Sequence, residues 1–205
     1  MPKRVDHAAR RREIAEALGR IAAERGARSV TMRDVATEAG CSLGLVQYYF
    51  PSKDELLLAA LRHLTERVAK RVQRAVRALG PDASERDRIR VTLRQFLPLD
   101  HERRAATTLF RAFHDGGVNN LTTTGAQARK VPQMFHQTMT RRLEVAGDAG
   151  QLRPGVTVET EARIYQLVIT SLAESLLAGF VTTTEATATI DYLLDRAFVP
   201  PKDPS

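Results

Sequence analysis

Residues 31–56 read TMRDVATEAGCSLGLVQYYFPSKDEL. Thr31 is placed to cap a helix over Met32 to Ala39, and Gly40 just past its end supplies the backbone freedom that a sharp helix stop needs. Ser42 caps a second short helix that ends in aromatic residues, and Ser52 caps the start of a third. Along the first two, Val35, Ala36, Ala39, Val46 and Phe50 are the apolar positions that can meet in a small core. Leu43, Gly44, Leu45, Gln47 and Tyr48 are left to face outward. Two short helices joined by a glycine turn, with a third following at once, are the layout of a helix-turn-helix, the unit that lays one helix into the major groove of DNA. The outward face carries no acidic group, so it can approach phosphate.

The charge is distributed as that reading requires. Residues 1–77 hold 16 Lys and Arg against 9 Asp and Glu, whereas residues 78–205 hold 15 against 15. The whole net charge of +7 therefore sits in the first 77 residues. A basic segment joined to a neutral one is the electrostatic footprint of a chain of which one part meets a polyanion. An ordinary solvated surface is the plainer account of any charge run. Here the run coincides with the helix-turn-helix.

Length and composition set the outer limits. A chain of 205 residues with 43% hydrophobic content can bury a substantial core, as one domain or as a small domain joined to a larger one. The start MPKRVDHAARRREI is basic but has no apolar run, and nothing approaches the ~18 consecutive apolar residues of a membrane span. A soluble, cytoplasmic protein with no membrane partner is expected. The single Cys41 has no second thiol for a disulfide or a zinc site, which fits a reducing compartment. His114 and His136 lack metal-ligand spacing to each other or to a cysteine, so no metal site and no cofactor are expected. A phosphate-cradling glycine loop, a G-x-S-x-G elbow and H-E-x-x-H are all missing, and the carboxylates lie scattered among arginines as surface pairs do. The chain does not read as an enzyme.

The periodicity predicts an all-α protein. A first helix over His7 to Arg25 puts Ile14, Leu18, Ile21 and Ala22 on one stripe and stops near Gly26. A fourth begins after Ser52, with Leu57, Ala60, Leu61, Leu64, Val68, Val72, Ala75 and Leu79 recurring at spacings of three and four. At 1.5 Å per residue its roughly 27 residues span ~40 Å, enough to run from a DNA-binding head into a second domain. Further helices are expected at 84–97, 102–114, 124–147, 157–180 and 184–198, with Pro132 interrupting the one at 124–147. The β-prone strings LTTT and VTTT are the local exceptions. The expected organisation is a DNA-binding domain over 1–52, with the start of the fourth helix at 53–64, and a second helical domain over 65–205.

The string from Thr31 to Leu56, with the preceding amphipathic helix RREIAEALGRIAAERG, resembles the N-terminal domain of the tetracycline-repressor (TetR) family of bacterial transcription regulators. The resemblance covers residues 10–64, and spacing, caps, glycine, Tyr-Phe and Ser-Lys match together. Gln47 stands where many members carry tyrosine. The resemblance implies a homodimer that binds a palindromic double-stranded operator and responds to a small-molecule effector. It makes Leu43, Gly44, Leu45 and Gln47 candidates for base contact, and Thr31, Ser42, Tyr48 and Lys53 candidates for phosphate contact. Leu43 and Leu45, being apolar, suit thymine methyl groups and DNA shape.

Two further expectations follow for the second domain. Ile164, Leu167, Val168, Leu172, Leu176 and Phe180 form one apolar stripe, and Ile190, Leu193, Leu194 and Phe198 another. Part of this surface must serve the chain's own core. The resemblance implies that the last two helices also pair with a second copy, which makes Ile164, Val168, Leu172, Leu176, Phe180 and Leu194 candidate dimer contacts. Phe96, Phe110, Phe113, Met134, Phe135, Met139 and Tyr165 concentrate aromatic rings and sulfur in the middle of this half. A plain hydrophobic core accounts for any one of them, while the resemblance implies an effector cavity lined by Phe96, Phe110, Phe113, His114, Met134, Phe135 and Tyr165. Asp115, Asn119 and Gln137 are further polar candidates. The reading from another class is a helical small-molecule-binding or scaffold protein without specific DNA binding.

Overall fold

The computed structural model describes residues 6–115 and 130–200, and the side chains of these apart from 113–115. Among them the chain runs through α1 (His7–Arg25), α2 (Met32–Glu38), α3 (Leu43–Tyr49), α4 (Lys53–Ala78), α5 (Glu85–Gln95), α6 (His101–Asp115), α7 (Lys130–Asp148), α8 (Val158–Ala178) and α9 (Thr183–Ala197). The all-α expectation holds, and the described helix ends fall within a few residues of those read from periodicity. The extended pairing among the described residues is one antiparallel bridge between Leu152 and Phe198. LTTT lies outside the described residues. VTTT does not extend as a strand because Thr182 and Glu185 close a reciprocal capping box that starts α9.

The residues fall into two compact units, 1–68 with 98–130, and 69–97 with 131–205. In the first, Ile14, Leu18, Ile21 and Ala22 of α1 are buried as their spacing predicts, together with Val35 and Ala36 of α2 and Val46 and Phe50 at α3. The unit also holds α6, which packs on α1 through buried Ala105 and Leu109. Of the α4 stripe, Ala60, Leu61, Leu64 and Val68 are buried, Leu57 is half-buried and Leu79 is exposed. Leu56 and Leu58 are buried instead. These two lie on opposite sides of the helix, so the first turns of α4 are covered over a wider arc than a single stripe provides.

In the second unit, Ile89 and Leu93 of α5, Phe135, Met139 and Leu143 of α7, Tyr165, Ile169 and Leu172 of α8, and Ile190 and Leu194 of α9 share one core. Ion pairs surround it. Arg90 reaches Asp191 at 2.9 Å, Arg86 pairs with Asp195, and Arg142 meets Glu85 at 3.0 Å. Buried Glu161 accepts from Arg196 Nη2 through both carboxylate oxygens, at 3.0 and 3.3 Å. Pro132 lies in the first turn of the described α7, while residues 124–129, over which the helix was expected to begin, lie outside the described residues.

Candidate nucleic-acid interface

The helix-turn-helix is built from caps. The Thr31 hydroxyl accepts from Asp34 N–H at 3.1 Å, while the Thr31 N–H and hydroxyl both donate to the Asp34 carboxylate, at 2.8 and 2.6 Å. The exit from α2 is equally determined. Gly40 takes a positive φ of 61°, and the N–H groups of Cys41 and Gly40 donate to the carbonyls of Ala36 and Thr37. That is a Schellman stop, and glycine is the residue that enters its left-handed position without strain. Ser42 Oγ then accepts from Leu45 N–H at 3.2 Å to open α3, leaving its own proton free to donate outward.

These caps fix what α3 presents. Val46 and Tyr49 turn inward, while Gly44, Gln47 and Tyr48 are exposed, Tyr48 by 70%. Leu43 and Leu45, expected to face outward, are half-buried against the core of the unit. The available face is therefore narrower than the sequence suggests. Cationic residues stand on the neighbouring elements. Lys53 Nζ donates to the Arg28 carbonyl at 2.9 Å, which ties the start of α4 to the turn before α2 and leaves two ammonium protons for an anion. Among the described residues Arg12, Arg28 and Arg33 have no acidic partner, whereas Arg10 and Arg20 are held by Glu13 and Glu38. Thr31 is exposed, but its hydroxyl proton is already given to Asp34, so a phosphate there must compete with the capping box.

The hydrogen bonds from the Thr31 hydroxyl and then its backbone N–H hold the Asp34 carboxyl below the ordinary aspartate range. A carboxyl depressed in the folded state adds stability above its unfolded pKa, and that stability is lost as pH falls through the folded value. Acidification below about pH 4 should therefore loosen the entry to α2. In Asp34→Asn the step should vanish, as read from the backbone amide resonances of positions 31 and 34 during titration. An acid transition identical in both proteins would exclude Asp34 as its origin.

Three contacts around α3 were missed in the sequence. His7 Nδ1 lies 2.8 Å from the Tyr49 hydroxyl, Tyr48 and Tyr49 meet edge to face at 5.2 Å, and the Arg11 guanidinium sits 4.5 Å over the ring of Phe50. The first and the last join α1 to the far end of α3, across a stretch of chain that helical periodicity does not register.

The other predicted sites are dispersed. Phe96 and Phe135 pack edge to face at 4.9 Å, and Tyr165 belongs to the same core, whereas Met134 is 58% exposed and cannot line a cavity as placed. Phe110 packs on the core of the other unit. The side chains of Phe113, His114 and Asp115, and all of Asn119, lie outside the described residues, and Gln137 is exposed. Burial, and next the charge of Glu161, push the Tyr165 hydroxyl above the ordinary tyrosine range, so it stays protonated.

Of the candidate dimer contacts, Leu194 and Leu172 are buried in the chain's own core and Ile164, Val168 and Leu176 are half-buried. Leu194 has no surface left for a second copy. What α8 and α9 leave open is Leu167, Phe180 and Tyr192, exposed by 65%, 83% and 68%. Among the described residues no helix is long and apolar enough to cross a membrane, and no group of three or more His, Cys, Asp or Glu could hold a metal ion.

Residues 14–60 match the model of the bacterial regulatory proteins of the tetR family. A curated relative, the HTH-type transcriptional regulator PksA of Bacillus subtilis, is 36% identical over 139 residues, which cover 59% of this chain and 66% of that protein, just under two thirds. A transcriptional regulator from Saccharomonospora viridis, solved in complex with choline, superposes with a TM-score of 0.81 at 22% identity, over 94% of this chain and all of that one. AibR, solved with isovaleryl coenzyme A and operator DNA, superposes with a TM-score of 0.69 at 16% identity, over 92% of this chain and all of that one. At these identities the two structures show a shared fold. The relatives so matched are regulators rather than enzymes.

Proposed function

We propose that the chain, whose residues 14–60 match the tetR family of bacterial regulatory proteins, is a homodimeric one-component transcription regulator, a repressor, that binds a palindromic operator and releases it when a small molecule enters the helical second domain. The observation that carries the proposal is the exposed face of Gly44, Gln47 and Tyr48 on a helix capped by Ser42, with Lys53 at the start of the next helix held by the Arg28 carbonyl. Gln47 and Gly44 read bases, with Leu43 and Leu45 reaching the groove through their exposed edges. Ser42, Tyr48 and Lys53 hold phosphate, and Thr31 does so in competition with Asp34. Two such heads related by a two-fold axis meet consecutive major-groove turns, so binding is bivalent. Phe96, Phe135 and Tyr165 are the candidate effector contacts that share a core, and the effector acts by favouring a form whose heads no longer match the operator.

The test separates phosphate holding from base reading. Lys53→Ala should weaken binding about equally on an operator, selected from a random duplex library, and on unrelated DNA, and should lower the salt slope by about one charge. Gln47→Ala should cost ~1–3 kcal/mol on the selected operator and little elsewhere. Equal losses on both DNAs would remove Gln47 from the base-reading set. If the wild-type protein selects no sequence and binds no duplex at low salt, the helical small-molecule-binding or scaffold reading replaces this one.

A further inference from the structure

The candidate DNA face ends in Tyr48, whose ring is exposed but does not stand alone. Its edge-to-face neighbour is Tyr49, with ring centroids 5.2 Å apart and planes at 83°. Tyr49 is buried and its hydroxyl lies 2.8 Å from Nδ1 of His7, in the first turn of α1. The His7 and Tyr49 rings are themselves 5.9 Å apart. His7 is an exposed residue that no role in the head's core requires. We propose that His7 is a positioning residue for DNA binding: through Tyr49 it fixes the ring of Tyr48 in the orientation that meets phosphate. This inference rests on the DNA-binding reading above, and a part of its test does not.

Physical chemistry favours such a support here. α3 has seven residues, two turns, and a helix of that length does not hold its last turn by backbone bonds alone. Phe50 N–H closes the final bond to Val46. An exposed tyrosine otherwise samples several rotamers, and binding must then restrict it at a cost in affinity. Packing its edge on a ring that is itself hydrogen-bonded removes that freedom beforehand. The bond survives either charge state of His7. A neutral imidazole with Nδ1 unprotonated accepts from the Tyr49 hydroxyl, and an imidazolium donates Nδ1–H to the same oxygen. Arg11 over Phe50 adds a second tie from α1 to the end of α3, so the first turns of α1 act as a brace for the reading helix.

The experiment pairs a DNA-free readout with a double-mutant cycle. With meta-fluorotyrosine at position 48 in the full chain, the fluorine resonance should move and broaden on His7→Ala and on Tyr49→Phe, and return on His7→Asn, whose amide reoccupies the place of Nδ1. A resonance unmoved by His7→Ala overturns the inference whatever the protein does with DNA. On an operator selected from a random duplex library, His7→Ala should lower affinity about three- to tenfold, the worth of one hydrogen bond. In a Tyr48→Ala background the same change should cost less than about twofold, because its target is gone. An equal loss in both backgrounds would make His7 merely part of the fold and sink the positioning role. A resonance that moves in a protein that binds no duplex leaves the His7–Tyr49–Tyr48 coupling standing and removes the regulator reading instead.

Discussion

If the proposed homodimer forms through the exposed side chains of α8 and α9, a chain carrying Leu167→Glu and Phe180→Glu should sediment as a monomer where the unaltered protein sediments as a dimer. Both side chains are largely exposed, so neither carboxylate harms the fold of a single chain. In a two-fold interface through these side chains each carboxylate would be buried twice, once from each copy, and a desolvated, unpaired carboxylate costs roughly several kcal/mol per site. Since two heads joined in a dimer exceed one in avidity by about 10²–10⁴, operator affinity should fall by that order while non-specific binding at low salt changes far less. Leu172→Glu is the informative contrast. Leu172 is buried in the chain's own core, so this change should unfold the second unit rather than separate copies. A double variant that remains a dimer would place the interface elsewhere.

The comparison of Leu167 with Leu194 shows what a sequence does and does not reveal. Both belong to apolar helices, and periodicity alone places both on stripes. Yet α8 and α9 have apolar arcs wide enough to serve two surfaces, and which arc turns inward depends on partners that lie far away in sequence. α5 decides part of it. Arg86 and Arg90 engage Asp195 and Asp191, which fixes the acidic side of α9 and leaves Tyr192 outward. The helix-turn-helix was legible for the opposite reason. Thr31 with Asp34, Gly40 with Thr37, Cys41 with Ala36, and Ser42 with Leu45 are contacts within a few residues, and local chemistry writes itself into local sequence.

The candidate effector site was the least legible part. Rings and methionines were grouped by their abundance along the chain, but Phe110 and Phe135 serve different cores and Met134 faces solvent. Composition counts apolar groups and does not say which of them meet. The long-range ties that steady α3 were invisible on the same ground. His7 and Tyr49 are 42 positions apart, and nothing in either neighbourhood signals the other.

Phe50→Ala should be the most damaging single change in the first unit. The ring is fully buried, at the residue that ends α3, and it packs under Arg11. Truncating a buried phenylalanine removes its transfer free energy and leaves a cavity, together ~3–5 kcal/mol, which is a large part of the roughly 5–15 kcal/mol that holds a typical domain. The loss should not be spread evenly. α3 is too short to persist without its side-chain anchors, so its amides should lose hydrogen-exchange protection first, while those around Tyr165 and Ile169 in α8, in a separate core, keep theirs. Operator binding should disappear with α3. Arg11→Gln gives the complementary measurement, because it removes only the cation over the ring, worth about 0.5–1 kcal/mol at an exposed site, and should leave the head folded with DNA affinity reduced modestly. If Phe50→Ala left the α3 amides protected, or if Arg11→Gln were as damaging as Phe50→Ala, the ring would not be the anchor that holds the reading helix in place.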